Sequence, residues 1–320
     1  MAALAFELGV AFEGQIPWSP PGQAAPGGAR PRPPLLPEFD AYQRQTHWID
    51  VYNRGQGTLD YAVHTGESWL RASPPEGAVG KERRLSVSVD WTRVPKGTHR
   101  VPVTVTGSDG RRFVIQTVVS NPISPDRDTV VGFVEGNGYV AMEAEHFSRA
   151  VNGGGVTWHR IPDLGRTLSG MTPIAQVASS VSPGGNGPRL EYRMFMFDSG
   201  AVLVKAYLSP TLNFSGAAEG LRYAVSFDDE TPRIANMAAD SSSRTWEQSV
   251  ADNIAVITTE HRLAQPGEHT LKFWMVDPGI VLQRVVVDAG GMRPSYLGPP
   301  ESYRGVGGAI REARTSGPAR

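Results

Sequence analysis

Residues 85–91 read LSVSVDW, in which Leu85, Val87, Val89 and Trp91 alternate with polar residues. The same period of two continues in VPVTVTG at 101–107 and, after the turn at 107–110, in RFVIQTVVS at 112–120. This alternation is typical of strands that bury one face, and short strands separated by turns are typical of an antiparallel sandwich. We therefore predict a small β-sandwich over residues 38–122.

The second half of the chain also consists of short strand-like segments separated by turn residues, and it is longer than the first. Its strand-like segments are YVAMEAEHF (139–147), RLEYRMFMF (189–197), AVLVKAYLS (201–209), LRYAVSFDD (221–229), NIAVITTEHRL (253–263), HTLKFWMVD (269–277) and VLQRVVVDA (281–289). No amphipathic run of helical length stands out between them, which favours an all-β sandwich or jelly roll over a βαβ fold. We predict this domain over 131–303, after a linker at 121–130 that has two prolines and no periodicity.

The two ends of the chain lack a clear pattern. Residues 17–37 are rich in Pro, Gly and Ala, and residues 7–14 form only a short apolar run. We interpret 1–37 as the remnant of a preceding domain followed by a linker. Residues 304–320, rich in Gly and Arg, are predicted to be a disordered tail.

Composition excludes several classes of function. The 320 residues contain 31 Lys+Arg, 32 Asp+Glu and no Cys, for a net charge of -1. A balanced charge predicts neither nucleic-acid nor membrane partners, and the absence of Cys excludes thiol chemistry and disulfides. No basic, apolar leader typical of a signal peptide precedes the first domain. The motifs of α/β-hydrolases, zinc proteases, P-loop proteins and dinucleotide-binding proteins are absent, so no catalytic residue is assigned.

Two carboxylates stand close together in YVAMEAEHF. In a continuous strand Glu143 and Glu145 would share one face, with Ala144 on the other. Such a pair could hold a hard cation such as Ca²⁺ or accept hydrogen bonds from sugar hydroxyls. The alternative is an edge-strand pair that faces water.

Flat aromatic rings and arginines supply the other candidate binding residues. Trp158, Trp246 and Trp274 could stack on a pyranose ring, although most aromatic residues of a sandwich belong to its core. Trp274 alternates out of phase with Leu271 and Phe273, which favours a surface or second-face position. Arg166, Arg193 and Arg222 could bind a uronate carboxylate through two hydrogen bonds, and Arg166 is the one we select.

The second half resembles the C-terminal domain of glycoside hydrolase family 115, the xylan α-1,2-(4-O-methyl)glucuronidases. Four segments carry the resemblance: GYVAMEAEHF (138–147), WHRIPDLGRTLSGMTP (158–173), LSPTLNFSG and GLRYAVSFDDETP (208–232), and HTLKFWMVDPGIVLQRVVVDAGG with PSYLGPPES (269–302). The first half resembles the Ig-like insert of longer members through WIDVYNRG (48–55), Trp69-Leu70 and RLSVSVDWTRVPKGTHR (84–100). The resemblance implies an Ig-like sandwich followed by a jelly-roll sandwich of the kind found in carbohydrate-binding modules.

The resemblance also implies what this chain lacks. Members of the family carry their catalytic carboxylates on large upstream domains to which nothing here corresponds, so the chain is expected to be a C-terminal fragment, a split subunit or a truncated gene product. The family is typically extracellular or periplasmic. The EAE element is also similar to carbohydrate-binding modules of families 6 and 35, which implies a structural calcium near Glu143 and Glu145, but Gln283 stands where those modules have an acidic ligand.

These expectations combine into one hypothesis and two alternatives. The chain is expected to be a non-catalytic accessory part of a xylan α-glucuronidase that binds glucuronoxylan and raises its local concentration near a catalytic domain. The first alternative is a structural or homodimerisation module that packs on missing catalytic domains. The second is a split subunit that joins a catalytic α-glucuronidase chain.

Overall fold

The computed structural model describes residues 6–14, 34–175, 179–213, 218–240 and 242–307. The chain divides into two compact units, Met1–Arg127 and Asp128–Arg320. The division falls inside the segment 121–130 that the sequence analysis interprets as a linker. Both units are built from mostly antiparallel sheets with apolar cores, which confirms the predicted all-β fold class; β2 runs parallel to β9 and β10 parallel to β15.

The first unit is a sandwich of two sheets. Its strands are β1 (Leu8–Phe12), β2 (Phe39–Asp40), β3 (His47–Asn53), β4 (Leu59–Thr65), β5 (Leu70–Ser73), β6 (Glu76–Val79), β7 (Glu82–Val89), β8 (Gly97–Gly107) and β9 (Arg112–Asn121). One sheet has the order β1-β3-β7-β5 and the other β2-β9-β8-β4-β6. The alternation that predicted this unit places Leu85, Val87 and Val103 in the core with no exposed surface.

The beginning of the chain differs from the prediction. Strand β1 pairs with β3 along its whole length, from Leu8 opposite Asn53 to Phe12 opposite Ile49. Leu8 and Leu36 are buried in the core of the first unit. The interpretation of 1–37 as a remnant of another domain is therefore wrong for residues 8–12 and 36, while 1–5 and 15–33 lie outside the described residues. A five-residue strand followed by a long Pro-rich segment gives too short a periodic signal to be recognised.

The second unit is a larger sandwich. Its strands are β10 (Val131–Val134), β11 (Tyr139–Glu143), β12 (Arg149–Val151), β13 (Val156–Ile161), β14 (Gly170–Ala175), β15 (Arg189–Met196), β16 (Gly200–Leu208), β17 (Arg222–Phe227), β18 (Arg233–Asn236), β19 (Ala255–Leu263), β20 (Gly267–Met275), β21 (Leu282–Asp288) and β22 (Arg304–Val306). One sheet has the order β18-β17-β20-β15-β10-β22, with β12 on β15. The other has the order β13-β14-β21-β16-β19, with β11 on β21. Tyr192, Tyr223 and Phe273 lie fully buried between the two sheets.

Two elements of the second unit were not predicted. Strand β22 pairs with β10, with Val306 opposite Val131, so residues 304–306 are ordered where a disordered tail was expected; residues 308–320 lie outside the described part. Helix α1 (Ser243–Asp252) begins at Ser242, whose hydroxyl accepts a hydrogen bond from the Thr245 backbone, and ends at Asn253 in the left-handed conformation. Only Trp246 and Val250 are large apolar residues in this short helix, which is too little to reveal it in the sequence, and none of its residues is buried.

Position 132 on β10 requires glycine, because the backbone of the neighbouring strand lies very close to it. Its φ of +94° is in the left-handed region, and a Cβ atom there would lie 2.3 Å from the carbonyl oxygen of Arg193. We expect Gly132→Ala to lower the free energy of unfolding by about 2 to 4 kcal/mol, since both the backbone and the neighbouring strand would have to move. Gly200→Ala is the control, because Gly200 has φ +115° but nothing within 4 Å. Urea denaturation of both variants checks this, and equal losses would refute the role of the close approach.

A buried histidine makes the stability of the second unit depend on pH. Burial, with a smaller contribution from Arg233, lowers the pKa of His261 from 6.5 to about 4. Between these two pH values His261 is protonated in the unfolded chain and neutral in the folded chain. The free energy of unfolding therefore falls as the pH decreases from about 6.5 to about 4. The expected loss is about 3 kcal/mol. Denaturation at several pH values measures how the free energy of unfolding depends on pH. The dependence between about pH 6.5 and pH 4 should be present in the native chain and in the exposed-site control His159→Gln, and absent in His261→Leu. An unchanged dependence in His261→Leu would contradict the assignment to His261.

Candidate functional site

The two predicted glutamates do not share a strand face. Strand β11 ends at Glu143, and Ala144–His146 form a 3₁₀ helix. The buried Tyr192 hydroxyl holds this turn by donating a hydrogen bond to the Ala144 carbonyl oxygen at 2.7 Å. The prediction of a continuous strand through Glu145 is therefore wrong, because the chain leaves the sheet one residue after Glu143.

Each glutamate instead pairs with an arginine. The Glu143 carboxylate accepts from Nε (3.0 Å) and Nη2 of Arg284, and both side chains are almost fully buried. Glu145 pairs with the half-exposed Arg160. Burial opposes ionisation of Glu145, but the hydrogen bonds from Arg160 and Ser169 outweigh it and hold its pKa below the usual value. Both carboxylates are thus neutralised by guanidinium groups.

The loop between β13 and β14 is held by three side chains of the sandwich. The Thr167 hydroxyl donates to Glu143 at 2.7 Å, and the Ser169 backbone donates to Glu145 at 3.1 Å. The Arg166 backbone donates to the Gln283 side-chain oxygen at 2.9 Å. Glu145 and Gln283 therefore bind the backbone of the loop that carries Arg166, and Glu143 binds the Thr167 side chain of the same loop.

A second segment, residues 295–302, lies beside this loop and is called here the C-terminal strap. Arg284 donates through Nη1 to the carbonyl oxygens of Leu297 (3.1 Å) and Pro299 (2.7 Å). The Glu301 carboxylate accepts from the Glu143 backbone at 2.9 Å, and the Ser302 backbone donates to the Ala141 carbonyl oxygen at 2.9 Å. The strap is thereby attached along β11 and over Arg284.

The loop and the strap meet at Arg166 and Tyr296. The Arg166 guanidinium lies 4.0 Å from the centre of the Tyr296 ring, a cation–π contact. Tyr296 is still 68% exposed, so most of the residue remains accessible to solvent. A guanidinium and an aromatic ring therefore lie side by side, and the loop and the strap that carry them are both held by hydrogen bonds to the sandwich. Such a surface can bind a carboxylate through the guanidinium fork and an apolar sugar face through the ring.

The three arginines considered from the sequence differ in their pairing. Arg222 pairs with Asp277 (Nε to Oδ2, 2.9 Å), and Arg193 pairs with Glu268 (Nη2 to Oε2, 3.3 Å). In the described part of the chain no carboxylate pairs with the Arg166 side chain. Of the three, Arg166 is the one that has no carboxylate partner among the described residues.

The structure does not bring the three predicted tryptophans to this surface. Trp158, on β13, is half-buried and packs edge-on against the core residue Phe273. Trp274 lies on the second face of β20, as its phase in the sequence indicates, but it is only 4% exposed, with the Arg189 guanidinium over its ring. The expectation that Trp274 stacks on a sugar is therefore wrong for this conformation. Trp246 is 38% exposed near the start of α1, and its ring is accessible.

Sequence reasoning missed Tyr296. The residue stands in PSYLGPP, where an aromatic side chain is surrounded by Pro, Ser and Gly and no alternating pattern gives it a core position. An aromatic residue in such a segment has no strand or helix face to bury it. This was the available signal for an exposed ring.

The implied calcium does not fit the residues at this place. A divalent cation needs several free oxygen ligands, yet Glu143 is already bound to Arg284 and Glu145 to Arg160. Gln283 uses its amide oxygen for the Arg166 backbone and its amide nitrogen for the Ser209 hydroxyl. Among the described residues there is also no group of three or more His, Asp or Glu side chains arranged to hold a metal ion.

One further feature concerns membranes. Within the ranges that the structure describes, no helix has the length and apolar character needed to cross a bilayer.

Comparisons with known proteins identify the second unit. A search of curated proteins gave no match. Among solved structures, a family GH115 4-O-methyl-alpha-glucuronidase with specificity for decorated arabinogalactans aligns at 17% identity and a TM-score of 0.37, covering 52% of this chain and 19% of that one. A C-terminal family 6 carbohydrate-binding module of a laminarinase from Zobellia galactanivorans aligns at 14% identity and a TM-score of 0.31 (47% and 98% covered). A family 35 module from Clostridium thermocellum aligns at 11% and 0.31 (46% and 97% covered).

These structural likenesses are weak, and no functional conclusion rests on them. This chain spans about a fifth of the length of the glucuronidase that it matches. The sequence profile of the glycosyl hydrolase family 115 C-terminal domain, in contrast, matches residues 132–301, which is more than half of the 320 residues. The matched range contains Glu143, the Arg166 loop and Arg284, and it ends within the strap. The chain therefore belongs to the family of glycosyl hydrolase family 115 C-terminal domains.

Proposed function

We propose that the second unit is a non-catalytic carbohydrate-binding module that holds glucuronoxylan at the surface formed by Arg166 and Tyr296. The observation that carries the proposal is the stacked pair itself: a guanidinium with no carboxylate partner among the described residues, 4.0 Å from the centre of a ring whose residue remains 68% exposed. A guanidinium matches a uronate carboxylate with two parallel hydrogen bonds, and a tyrosine ring matches the C–H face of a pyranose. Family membership supports a role beside an α-glucuronidase.

The rigidity of the surface supports the same proposal. Arg166 is carried by a loop that is bound by Glu143, Glu145 and Gln283, and Tyr296 is carried by a strap bound by Arg284. A binding surface that is already ordered loses little conformational entropy when a ligand arrives. A site with one ring and one guanidinium remains weak, and it would act mainly by keeping a tethered catalytic domain near its substrate.

Isothermal titration of the purified chain tests this function. Glucuronoxylan, arabinoxylan and free glucuronic acid are titrated separately into the folded protein. We expect saturable heat with glucuronoxylan and weaker binding of arabinoxylan, because the latter lacks the carboxylate. If the folded chain gives no heat with any of the three, the module is a structural brace or dimerisation unit instead, and sedimentation would then reveal its oligomeric state.

A further inference from the structure

A buried guanidinium lies on strand β21 of the second unit with an unusual set of partners. Arg284 is 4% exposed and lies on β21, where its neighbours Leu282 and Val285 are fully buried. Its donors reach the Glu143 carboxylate, the Thr167 hydroxyl (3.0 Å) and the carbonyl oxygens of Leu297 and Pro299. All four partners are oxygen atoms, and they come from three separate segments of the chain.

The oxygen atoms around Arg284 are of the types that also bind a hard cation. A carboxylate, a hydroxyl and two backbone carbonyls are the ligand types of a bound Ca²⁺. Here the positive charge is supplied by a side chain, and the guanidinium donates both to Pro299 of the strap and to Thr167 of the loop after β13. The three segments are β11, the loop after β13 and the C-terminal strap.

We infer that the Arg284 guanidinium is a built-in cation that joins these three segments, so that the second unit folds and holds its candidate site without a divalent metal ion. Arg284 is a positioning residue, since it binds the strap that carries Tyr296 and the hydroxyl of Thr167, which is next to Arg166. The consequence for ligand binding rests on the proposed function. The consequence for folding does not.

Truncation of Arg284 should leave a cavity lined by the same oxygen atoms. In Arg284→Ala the Glu143 carboxylate, which is buried in the native chain, would have no cation beside it. A small guanidinium compound added to the solution could enter the cavity and restore the missing hydrogen bonds. The expected effect of the substitution is a fall in melting temperature of about 10 °C, which added methylguanidinium should partly reverse.

The experiment follows thermal unfolding of the full chain by circular dichroism. The native protein is measured with calcium chloride and with EDTA, and Arg284→Ala and the control Arg262→Ala are measured with and without methylguanidinium chloride. Arg262 is an exposed residue of β19 in the same unit. We expect the native melting temperature to be the same in calcium and EDTA, and methylguanidinium to raise the melting temperature of Arg284→Ala but not that of Arg262→Ala.

Two results would overturn the inference. One is a melting temperature of the native chain that falls in EDTA and recovers with calcium, a measurement that does not depend on whether Arg284→Ala folds. The other is a folded Arg284→Ala that melts at the control temperature or ignores methylguanidinium. Neither result involves a sugar, so a failure here is distinct from a failure of the proposed carbohydrate binding.

Discussion

Replacing Glu143 by Gln is expected to lower the free energy of unfolding of the second unit by about 3 to 5 kcal/mol. The substitution removes the charge that compensates Arg284 while both side chains are almost fully buried. A charge that is buried without a partner is destabilising, because its lost hydration is not offset by a salt bridge. The Arg284 guanidinium could reach water only by breaking its hydrogen bonds to the carbonyl oxygens of Leu297 and Pro299 in the strap. Urea denaturation of the purified variant measures the loss.

The exposed pair Arg193–Glu268 is the matched control in the same unit. Glu268→Gln is expected to cost less than about 1 kcal/mol, because water already solvates both groups. The double variant Glu143→Leu with Arg284→Met should recover part of the loss, since an apolar pair leaves no buried charge. If Glu143→Gln costs no more than Glu268→Gln, the buried pair does not stabilise this unit as argued.

Replacing Arg166 by Gln is expected to weaken binding of glucuronoxylan by about 10- to 100-fold and to leave binding of arabinoxylan nearly unchanged. A charged, two-bond contact with a carboxylate contributes about 1.5 to 3 kcal/mol, and an amide retains neither the charge nor the fork. Tyr296→Ala, in contrast, should weaken both glycans by a similar factor of about 3 to 10, because stacking on a sugar face does not depend on the carboxylate. Isothermal titration of each variant measures these ratios.

The decisive observation is whether Arg166→Gln weakens binding of glucuronoxylan more than binding of arabinoxylan, while Tyr296→Ala weakens both equally. Arg262→Gln removes an exposed arginine of the same unit and should bind both glycans as the native chain does. Circular dichroism spectra should confirm that all three variants are folded. Equal losses on both glycans from Arg166→Gln would mean that the guanidinium only supports the Tyr296 ring and does not meet a carboxylate.

The alternating segments of the sequence predicted much of the fold, for a physical reason. Leu85 and Val87 repeat every second residue because a strand turns alternate side chains toward the core, and both are fully buried. Helix α1 was not predicted because its apolar pattern consists of little more than Trp246 and Val250, one helical turn apart in a mainly polar segment. Strand β1 was missed because its partner β3 is far away in sequence, and a strand of five residues carries little pattern by itself.

The candidate site could be predicted only in part. The phase of Trp274 correctly indicated the second face of its strand, but periodicity does not show what covers a face, and here Arg189 and the backbone near Gly187 lie against the ring. The spacing of Glu143 and Glu145 suggested a shared face because the 3₁₀ helix after Glu143 leaves no mark in the sequence. The partners Arg284 and Tyr296 are about 140 and 130 positions away from Glu143 and Arg166, a distance over which one sequence alone gives no pairing.

The most direct test of the account is to locate the bound sugar. Backbone amide signals of the isotope-labelled chain are followed by nuclear magnetic resonance during titration with a xylo-oligosaccharide that carries one glucuronic acid. The account predicts that the largest shifts occur in the loop at 164–169 and in the strap at 295–298. Shifts confined to α1 around Trp246, or to the first unit, would contradict the assignment of the binding surface to Arg166 and Tyr296.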